Sequence, residues 1–146
     1  MRLVFPVILF SLLSGCSVVK NVQPVQINLD RNSPICVEVN PKVIEDDILS
    51  VIANGVRRNG YQVETYKVAP ETCLTRIEYT ARQKWDFTTF LSDADIWLYQ
   101  GNKILGSVQY RTPRGIFGGG GANPEKWSST ESKISPLIDE LFMLQK

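Results

Sequence analysis

The chain has 146 residues, of which 43% are hydrophobic, 16 are Lys or Arg and 15 are Asp or Glu, so its formal net charge is +1. This length suits one domain with a leader, and the balanced charge argues against a nucleic-acid partner and against a polybasic membrane patch. Histidine is absent, which excludes hydrolases with an imidazole base and zinc sites with histidine ligands.

The chain begins with one basic residue, Arg2, followed by an apolar run over residues 3–13. This run is far shorter than the roughly 20 residues that a helix needs to cross a bilayer. A short apolar run behind a basic start, closed by small residues, is typical of a secretory signal peptide. We therefore predict a signal peptide over residues 1–15.

The apolar run ends in Leu13-Ser14-Gly15-Cys16, which resembles the lipobox of bacterial lipoproteins. The resemblance implies cleavage before Cys16, a diacylglycerol on its sulfur and acylation of the new amine. Several acyl chains hold a protein stably on a membrane. The residue after Cys16 is Ser17 rather than Asp. In lipoproteins of Gram-negative bacteria this implies transfer to the outer membrane, so we expect an outer-membrane protein that faces the periplasm.

Residues 16–34 are polar and contain two prolines, so we interpret them as a lipidated tether. Within them Val25, Ile27 and Leu29 alternate with polar residues, which also allows a short edge strand. The periplasmic domain is predicted over residues 35–146.

A strand, a helix and a strand are predicted at the start of the domain. Residues 35–39 alternate apolar and polar side chains, and Asn40-Pro41 is typical of a helix start. Apolar residues then recur at helical spacing up to Arg58, and residues 61–66 alternate again. This order predicts a right-handed parallel unit.

Three strands over residues 73–85, 90–99 and 103–112 follow in close succession, which predicts an antiparallel meander. After a glycine-rich loop, residues 128–142 predict a C-terminal helix with a capping box that starts at Ser128. The predicted fold class is therefore α+β, with both helices on one face of the sheet and the other face partly solvated.

With Cys16 assigned to lipid, Cys36 and Cys73 remain. In an oxidising compartment such a pair most simply forms a disulfide, and the alternative is a reactive thiol. Closing a loop of about 38 residues contributes on the order of 4 kcal/mol in the chain-entropy model. The bridge would place the first strand of the domain between its second and third strands.

Trp97 and Tyr99 fall on the solvent side of their predicted strand. Such an aromatic patch is typical of protein interfaces and sugar-binding surfaces. A different strand register, or burial under the leader, is the alternative. We treat both residues as candidate partner-binding residues.

Arg111, Arg114 and Phe117 precede four glycines at residues 118–121 and are further candidate partner-binding residues. A plain flexible connection is the alternative. The glycines do not form a P-loop, because no Lys and Ser or Thr follow them. No cofactor and no metal site are predicted.

Asp86, Asp93 and Asp95 lie close together in the sequence. Two carboxylates can act as acid and base on a glycan or bind calcium. However, solvated charge on a strand face is the ordinary explanation, and the calcium-loop pattern is missing. We therefore predict no catalytic residues.

The chain carries four further short motifs. They are Asn40-Pro41, Trp85-Asp86, Lys126-Trp127 and the helix segment over residues 136–141. With these motifs residues 35–142 resemble a family of small, uncharacterised outer-membrane lipoproteins of proteobacteria. The resemblance implies a fold similar to small periplasmic modules of secretion and envelope-assembly lipoproteins, and it implies no activity.

We interpret the chain as a lipid-anchored envelope protein whose periplasmic domain binds another envelope component as a non-catalytic adaptor or accessory subunit. One alternative is a glycan-acting enzyme that uses an aspartate pair, and another is a purely structural lipoprotein. A deep pocket with a raised pKa at Asp93 or Asp95 would favour the enzyme. A shallow sheet face with aromatic side chains would favour binding.

Overall fold

The computed structural model describes residues 18–45, 47–112 and 123–145. Within these ranges the chain forms a six-stranded sheet and two α-helices. The strands are β1 (Val19–Gln23), β2 (Ile35–Glu38), β3 (Val63–Tyr66), β4 (Thr75–Asp86), β5 (Thr88–Gln100) and β6 (Lys103–Arg111), and the helices are α1 (Ile48–Arg58) and α2 (Thr130–Leu141). Short 3-10 helices span Pro124–Trp127 and Met143–Gln145. No helix in these ranges is long and apolar enough to cross a membrane.

The strand order across the sheet is β1-β6-β5-β4-β2-β3. β2 runs parallel to both β3 and β4, which confirms the predicted parallel unit and the central place of the domain's first strand. β4, β5 and β6 form the predicted antiparallel meander, and β1 adds an antiparallel edge strand beside β6.

Both helices pack on one face of the sheet, as predicted. Ile52 of α1 and Ile138 of α2 are fully buried in the same core as Ile77 of β4 and Ile96 of β5. Neighbouring strand residues alternate between this core and the opposite face because strand side chains have a period of two. We call the sheet face away from the helices the open face.

The disulfide between Cys36 and Cys73 is formed, with 6.3 Å between the two Cα atoms. Cys36 pairs in register with Glu64 on β3 and Arg76 on β4, whose side chains lie on the open face. The bridge therefore joins β2 to the turn before β4 on this face, as the prediction required.

Part of the segment interpreted as a tether is packed against the sheet and α2. The edge strand β1 precedes Val25, Ile27 and Leu29, the residues whose alternation allowed an edge strand. Val25 and Leu29 are instead buried beyond its end, and the Val25 N–H donates to the Leu141 carbonyl over 2.9 Å. These side chains close the core beside α2, which alternation along the segment does not reveal.

The helix α1 starts at Ile48 rather than directly after Asn40-Pro41, so the predicted cap is wrong. The Asn40 side chain forms a turn instead. Its Oδ1 accepts from the Lys42 N–H over 3.0 Å, and its Nδ2 donates to the Tyr79 carbonyl over 2.9 Å. Asn favours such turns for the same reason that it favours caps, since its short side chain reaches nearby backbone groups.

The helix α2 also starts later than predicted. Its cap is Ser129, whose Oγ accepts from the Ser132 N–H over 3.2 Å. Ser128, the predicted cap, donates to the Glu125 carbonyl over 2.6 Å. The 3-10 turn before α2 therefore uses the first serine and the helix uses the second.

A β-bulge between Leu98 and Tyr99 shifts the register with β6. Ile104, which strict alternation directs inward, is consequently 48% exposed. Gly106 pairs with Leu98 and is buried on the helix side.

Candidate functional site

Trp97 and Tyr99 lie on the open face, between buried residues that point to the helices. Trp97 pairs with Glu78 on β4 and with Ser107 on β6, and it is half-buried. Tyr99 is also half-buried, and the Arg76 guanidinium lies 4.7 Å from its ring centroid. The two candidate aromatics are thus part of one solvent-facing surface.

Trp97 contributes to a groove of about 500 Å³ near the end of β2, which we call the open-face groove. Its side chains include Glu38, Asn40, Lys42, Lys67, Glu78 and Trp97. The hydrogen bond from Asn40 to β4 holds one wall in place. A Glu78 oxygen accepts from Arg76 Nε over 2.8 Å. The groove therefore combines an indole with both acidic and basic groups.

Arg111 lies on the same face and holds the two aspartates that were weighed as a catalytic pair. Its Nη2 donates to both carboxylate oxygens of Asp95 over 2.7 Å. Its Nε lies 3.7 Å from Asp93 Oδ1, and Asp93 Oδ2 accepts from Ser92 Oγ over 2.7 Å. Hydrogen bonds between a guanidinium and a carboxylate are shorter and stronger than those between neutral groups. The described residues contain no group of three or more Cys, Asp or Glu that could hold a metal ion.

Arg114, Phe117 and the glycines at residues 118–121 lie outside the described residues. The described chain reaches Thr112 on that side, and the Thr112 N–H donates to the Ser92 carbonyl over 2.8 Å.

Three aromatic rings are exposed at one end of the sheet, at the hairpin between β4 and β5. Trp85 is 74% exposed and Phe87 is 89% exposed. Trp127 is 43% exposed, and its Nε1 donates to the Asp86 carbonyl over 3.2 Å, which brings it to the same hairpin. We call Trp85, Phe87 and Trp127 the aromatic tip.

In the sequence, Trp85-Asp86 and Lys126-Trp127 are recognisable only as family motifs, and the aromatic tip was not predicted. The two motifs are 40 residues apart in the chain but in contact in the fold, where Lys126 Nζ pairs with the Asp86 carboxylate. Phe87 has a φ of +59° in the hairpin turn. A positive φ is strained for a bulky residue. A phenylalanine at the hairpin turn was therefore the feature of the sequence that could have revealed the aromatic tip.

Lys133 of α2 is buried, a position that the sequence analysis did not consider. Its Nζ donates to the Leu91 carbonyl over 3.2 Å and to the Lys126 carbonyl over 2.7 Å. Burial lowers the pKa of Lys133 to about 8, while the charges of Glu45 and Glu125 act in the opposite direction. The ammonium is thus held by backbone oxygens in a poorly solvated place.

Lys126 is a second buried lysine, and it links the interior to the aromatic tip. Besides its ion pair with Asp86, its Nζ lies 4.8 Å from the Phe90 ring centroid and 4.9 Å from that of Trp127. Nearby, burial raises the pKa of Tyr110, whose hydroxyl has no hydrogen-bond partner among the described residues.

Comparison with known proteins shows a likeness at the level of the fold. No family model matches the chain, and no curated protein matches it. A PelC variant dodecamer from Paraburkholderia phytofirmans aligns with a TM-score of 0.54 and 16% identity, over 86% of this chain and 94% of that chain. A second PelC dodecamer structure from the same organism aligns with a TM-score of 0.54 and 15% identity, over the same shares of each chain.

A minor lipoprotein from Acinetobacter baumannii aligns with a TM-score of only 0.29 and 15% identity, over 75% of this chain and 84% of that chain. That score is too low to indicate a common fold. The alignments with PelC do indicate one, so the described domain has a fold similar to that of PelC.

Proposed function

We propose that the chain is a lipid-anchored envelope protein that rests its aromatic tip on the membrane and binds another envelope component through its open face, without catalysing a reaction. The observation that carries the proposal is that the aromatic tip and the start of the folded domain lie at the same end of the sheet. The lipobox ending at Cys16 and the fold shared with PelC support it.

The strand register locates this shared end. Val19 at the start of β1 pairs with Arg111, which in turn pairs with Asp93 on β5. From Asp93 the β4–β5 hairpin continues to its turn at Phe87. On β4 the hairpin extends four residues beyond Arg82, the partner of Asp93, and these residues correspond to about 13 Å of strand. Cys16 precedes Val19 by three residues, a reach of about 10 Å. A lipid on Cys16 can therefore enter the bilayer that the tip touches.

The chemistry of the aromatic tip suits a membrane surface. Indole rings concentrate at membrane interfaces because one part of the ring is apolar and its N–H can stay hydrated. Trp85 and Phe87 are exposed far more than aromatic side chains usually are. Their transfer from water into the interface would be favourable, and it would also orient the domain.

In this orientation the strands lead away from the membrane and the open face stays clear of it. Trp97 is ten residues from Phe87 along β5, which corresponds to about 30 Å of strand. Trp97 and Tyr99 would therefore be accessible to a partner in the periplasm.

The absence of catalysis is part of the proposal, and the environment of the aspartates supports it. A carboxyl group that transfers a proton to or from a substrate must be within hydrogen-bond reach of it. Asp95 accepts two hydrogen bonds from Arg111, and Asp93 lies beside the same guanidinium. Both carboxylates are thus engaged in a structural ion-pair network.

The tip orientation can be tested by fluorescence quenching, because the chain has only three tryptophans. The lipidated protein is reconstituted in phosphatidylethanolamine and phosphatidylglycerol vesicles with brominated acyl chains. In W97F the remaining emission comes from Trp85 and Trp127, and we expect strong quenching. In the matched double variant W85F/W127F only Trp97 emits, and we expect almost none. Equal quenching of the two proteins would contradict the proposed orientation.

Partner binding can be tested with a photo-crosslinking amino acid at position 97 in whole cells, followed by mass spectrometry. The control carries it at Glu140, which is exposed on α2. We expect a defined product from position 97 and none from position 140. A product that joins two copies of this chain would identify the partner as a second copy, and the PelC neighbours are dodecamers. Identical products from the two positions would contradict a binding role for the open face.

A further inference from the structure

We infer that the open-face groove binds an anionic saccharide chain. This deepens the proposed function, because it names the chemistry of the component that the open face would bind. It rests on that proposal only for the access of the groove to the periplasm.

Trp97 supplies the flat surface that a sugar ring needs. Its neighbours Ile96 and Leu98 are fully buried and fix the strand, so the indole is held at a defined position on the open face. The C–H groups on one side of a pyranose ring pack well against an aromatic ring, whose face is electron-rich. A half-buried indole on a rigid strand loses little entropy when a ligand covers it.

The polar groups of the groove match the needs of sugar hydroxyls. A hydroxyl both donates and accepts hydrogen bonds, so its site must offer donors and acceptors together. Lys42 and Lys67 supply donors, and Glu38 supplies acceptors. None of these three side chains forms an ion pair with any residue in the part of the chain that the structure describes.

The strand arrangement disfavours a peptide in the same place. An extended peptide usually adds to the free edge of a sheet, where unpaired backbone groups are available. The groove lies over the interior strands β2, β4 and β5, and beyond Ile77, where the pairing of β4 with β2 ends, the Asn40 side chain already donates to the Tyr79 carbonyl. An apolar ligand is also disfavoured, because it would remove water from three charged side chains without replacing their hydrogen bonds.

The charge balance selects an anionic sugar. Glu78 already accepts from Arg76, so its charge is compensated within the protein. This leaves the ammonium groups of Lys42 and Lys67 against the single carboxylate of Glu38. The remaining positive charge attracts a sugar that carries a carboxylate, such as a hexuronate.

The test uses oligogalacturonate as the probe and the lipidated chain in detergent. In the W85F/W127F protein, where only Trp97 emits, we expect oligogalacturonate to change the emission, and we expect smaller changes with neutral cello-oligosaccharide and with oligoglutamate. Calorimetry then gives affinities for variants with all other residues intact. W97A should lose about tenfold or more in affinity, equivalent to 1.4 kcal/mol. K42Q/K67Q should lose the preference for the anionic over the neutral sugar, and with it the weakening by salt.

The matched control is K103Q, which removes one positive charge from an exposed lysine at the start of β6, outside the groove. It should bind as the parent does. The inference is overturned if no saccharide binds, if W97A binds oligogalacturonate as tightly as the parent, or if oligoglutamate binds more tightly than the sugars. Because this assay contains no vesicles or cells, its failure would leave the quenching and crosslinking results on the proposed function unaffected.

Discussion

Lys133 places a titratable ammonium in the interior beneath α2, where it donates hydrogen bonds to two backbone carbonyls. The pKa of this group is about 8 in the folded chain, below its ordinary value of 10.5, because burial penalises the charged form. Between these two pH values the unfolded chain keeps a proton that the folded chain has released. Stability must therefore rise with pH across this window.

We expect the free energy of unfolding to increase from pH 8 to pH 10, by up to about 3 kcal/mol if the full shift applies. Above about pH 10 the raised pKa of Tyr110 acts in the opposite sense, because the unfolded phenol then ionises first. Urea unfolding followed by circular dichroism over this pH range measures both effects.

The matched variant is K133M, which removes the titrating group and keeps an unbranched side chain of similar length. Its stability at any one pH also reflects the loss of donors to Leu91 and Lys126, so the slope against pH is the informative quantity. The rise between pH 8 and 10 should vanish in K133M. A rise as steep as that of the parent would show that another group causes it.

At the scale of elements, the contact between α1 and α2 depends on a glycine. A Cβ added at Gly55 would lie 2.7 Å from Ile138 Cγ2. Ile138 is fully buried, so it has little room to move. The two helices therefore approach each other closely because Gly55 has no side chain.

We expect G55A to lower the free energy of unfolding by about 1–3 kcal/mol through overpacking, despite the better helix propensity of Ala. The neighbouring control N54A, at an exposed position of the same helix, should change it by less than about 0.5 kcal/mol. In an I138A background, which removes the closest methyl group, G55A should cost much less. An equal cost in both backgrounds would contradict the steric explanation.

The disulfide links two elements that are already neighbours in the sheet, so its main effect is on the unfolded chain. Cys36 and Cys73 are separated by 37 positions. We expect C36A/C73A to fold with a similar circular dichroism spectrum and to lose about 2–4 kcal/mol of stability. Reductant should lower the stability of the parent by a similar amount and leave the double variant unchanged. No effect of reductant on the parent would contradict this expectation.

At the scale of the whole molecule, the two ends of the described chain hold each other in place. Gln145 Nε2 donates to the Val25 and Ile27 carbonyls over 3.1 and 2.7 Å. Its Oε1 accepts from the Leu29 N–H over 3.0 Å. The segment before β2 is therefore a structural part of the domain, and it fixes where the domain starts relative to the predicted lipid at Cys16.

We expect V25D to lower the free energy of unfolding by about 3 kcal/mol or more, because it places a carboxylate in the core. The adjacent variant Q26D, at an exposed position, should have an effect of less than about 0.5 kcal/mol. Urea unfolding of the two variants measures their free energies of unfolding. Equal stabilities would show that the segment behaves as a tether after all.

The sequence alone determined the elements whose side chains repeat with a regular period. Alternation identified the meander, in which Ile77 and Ile96 are fully buried, and helical spacing identified α1 and α2. The number of cysteines identified the disulfide. These features are local, because a period of two or of 3.6 residues reports only which way a side chain faces on its own element.

Only the tertiary structure decided which faces and ends come together. Alternation placed Trp97 in solvent, but the groove around it also needs Lys42 and Lys67, which other parts of the chain supply. The aromatic tip needs Trp127 to meet a hairpin from a distant segment. A bulge exposes Ile104 against its alternation. Such features depend on strand order, register and long-range contacts, which no local repeat in the sequence encodes.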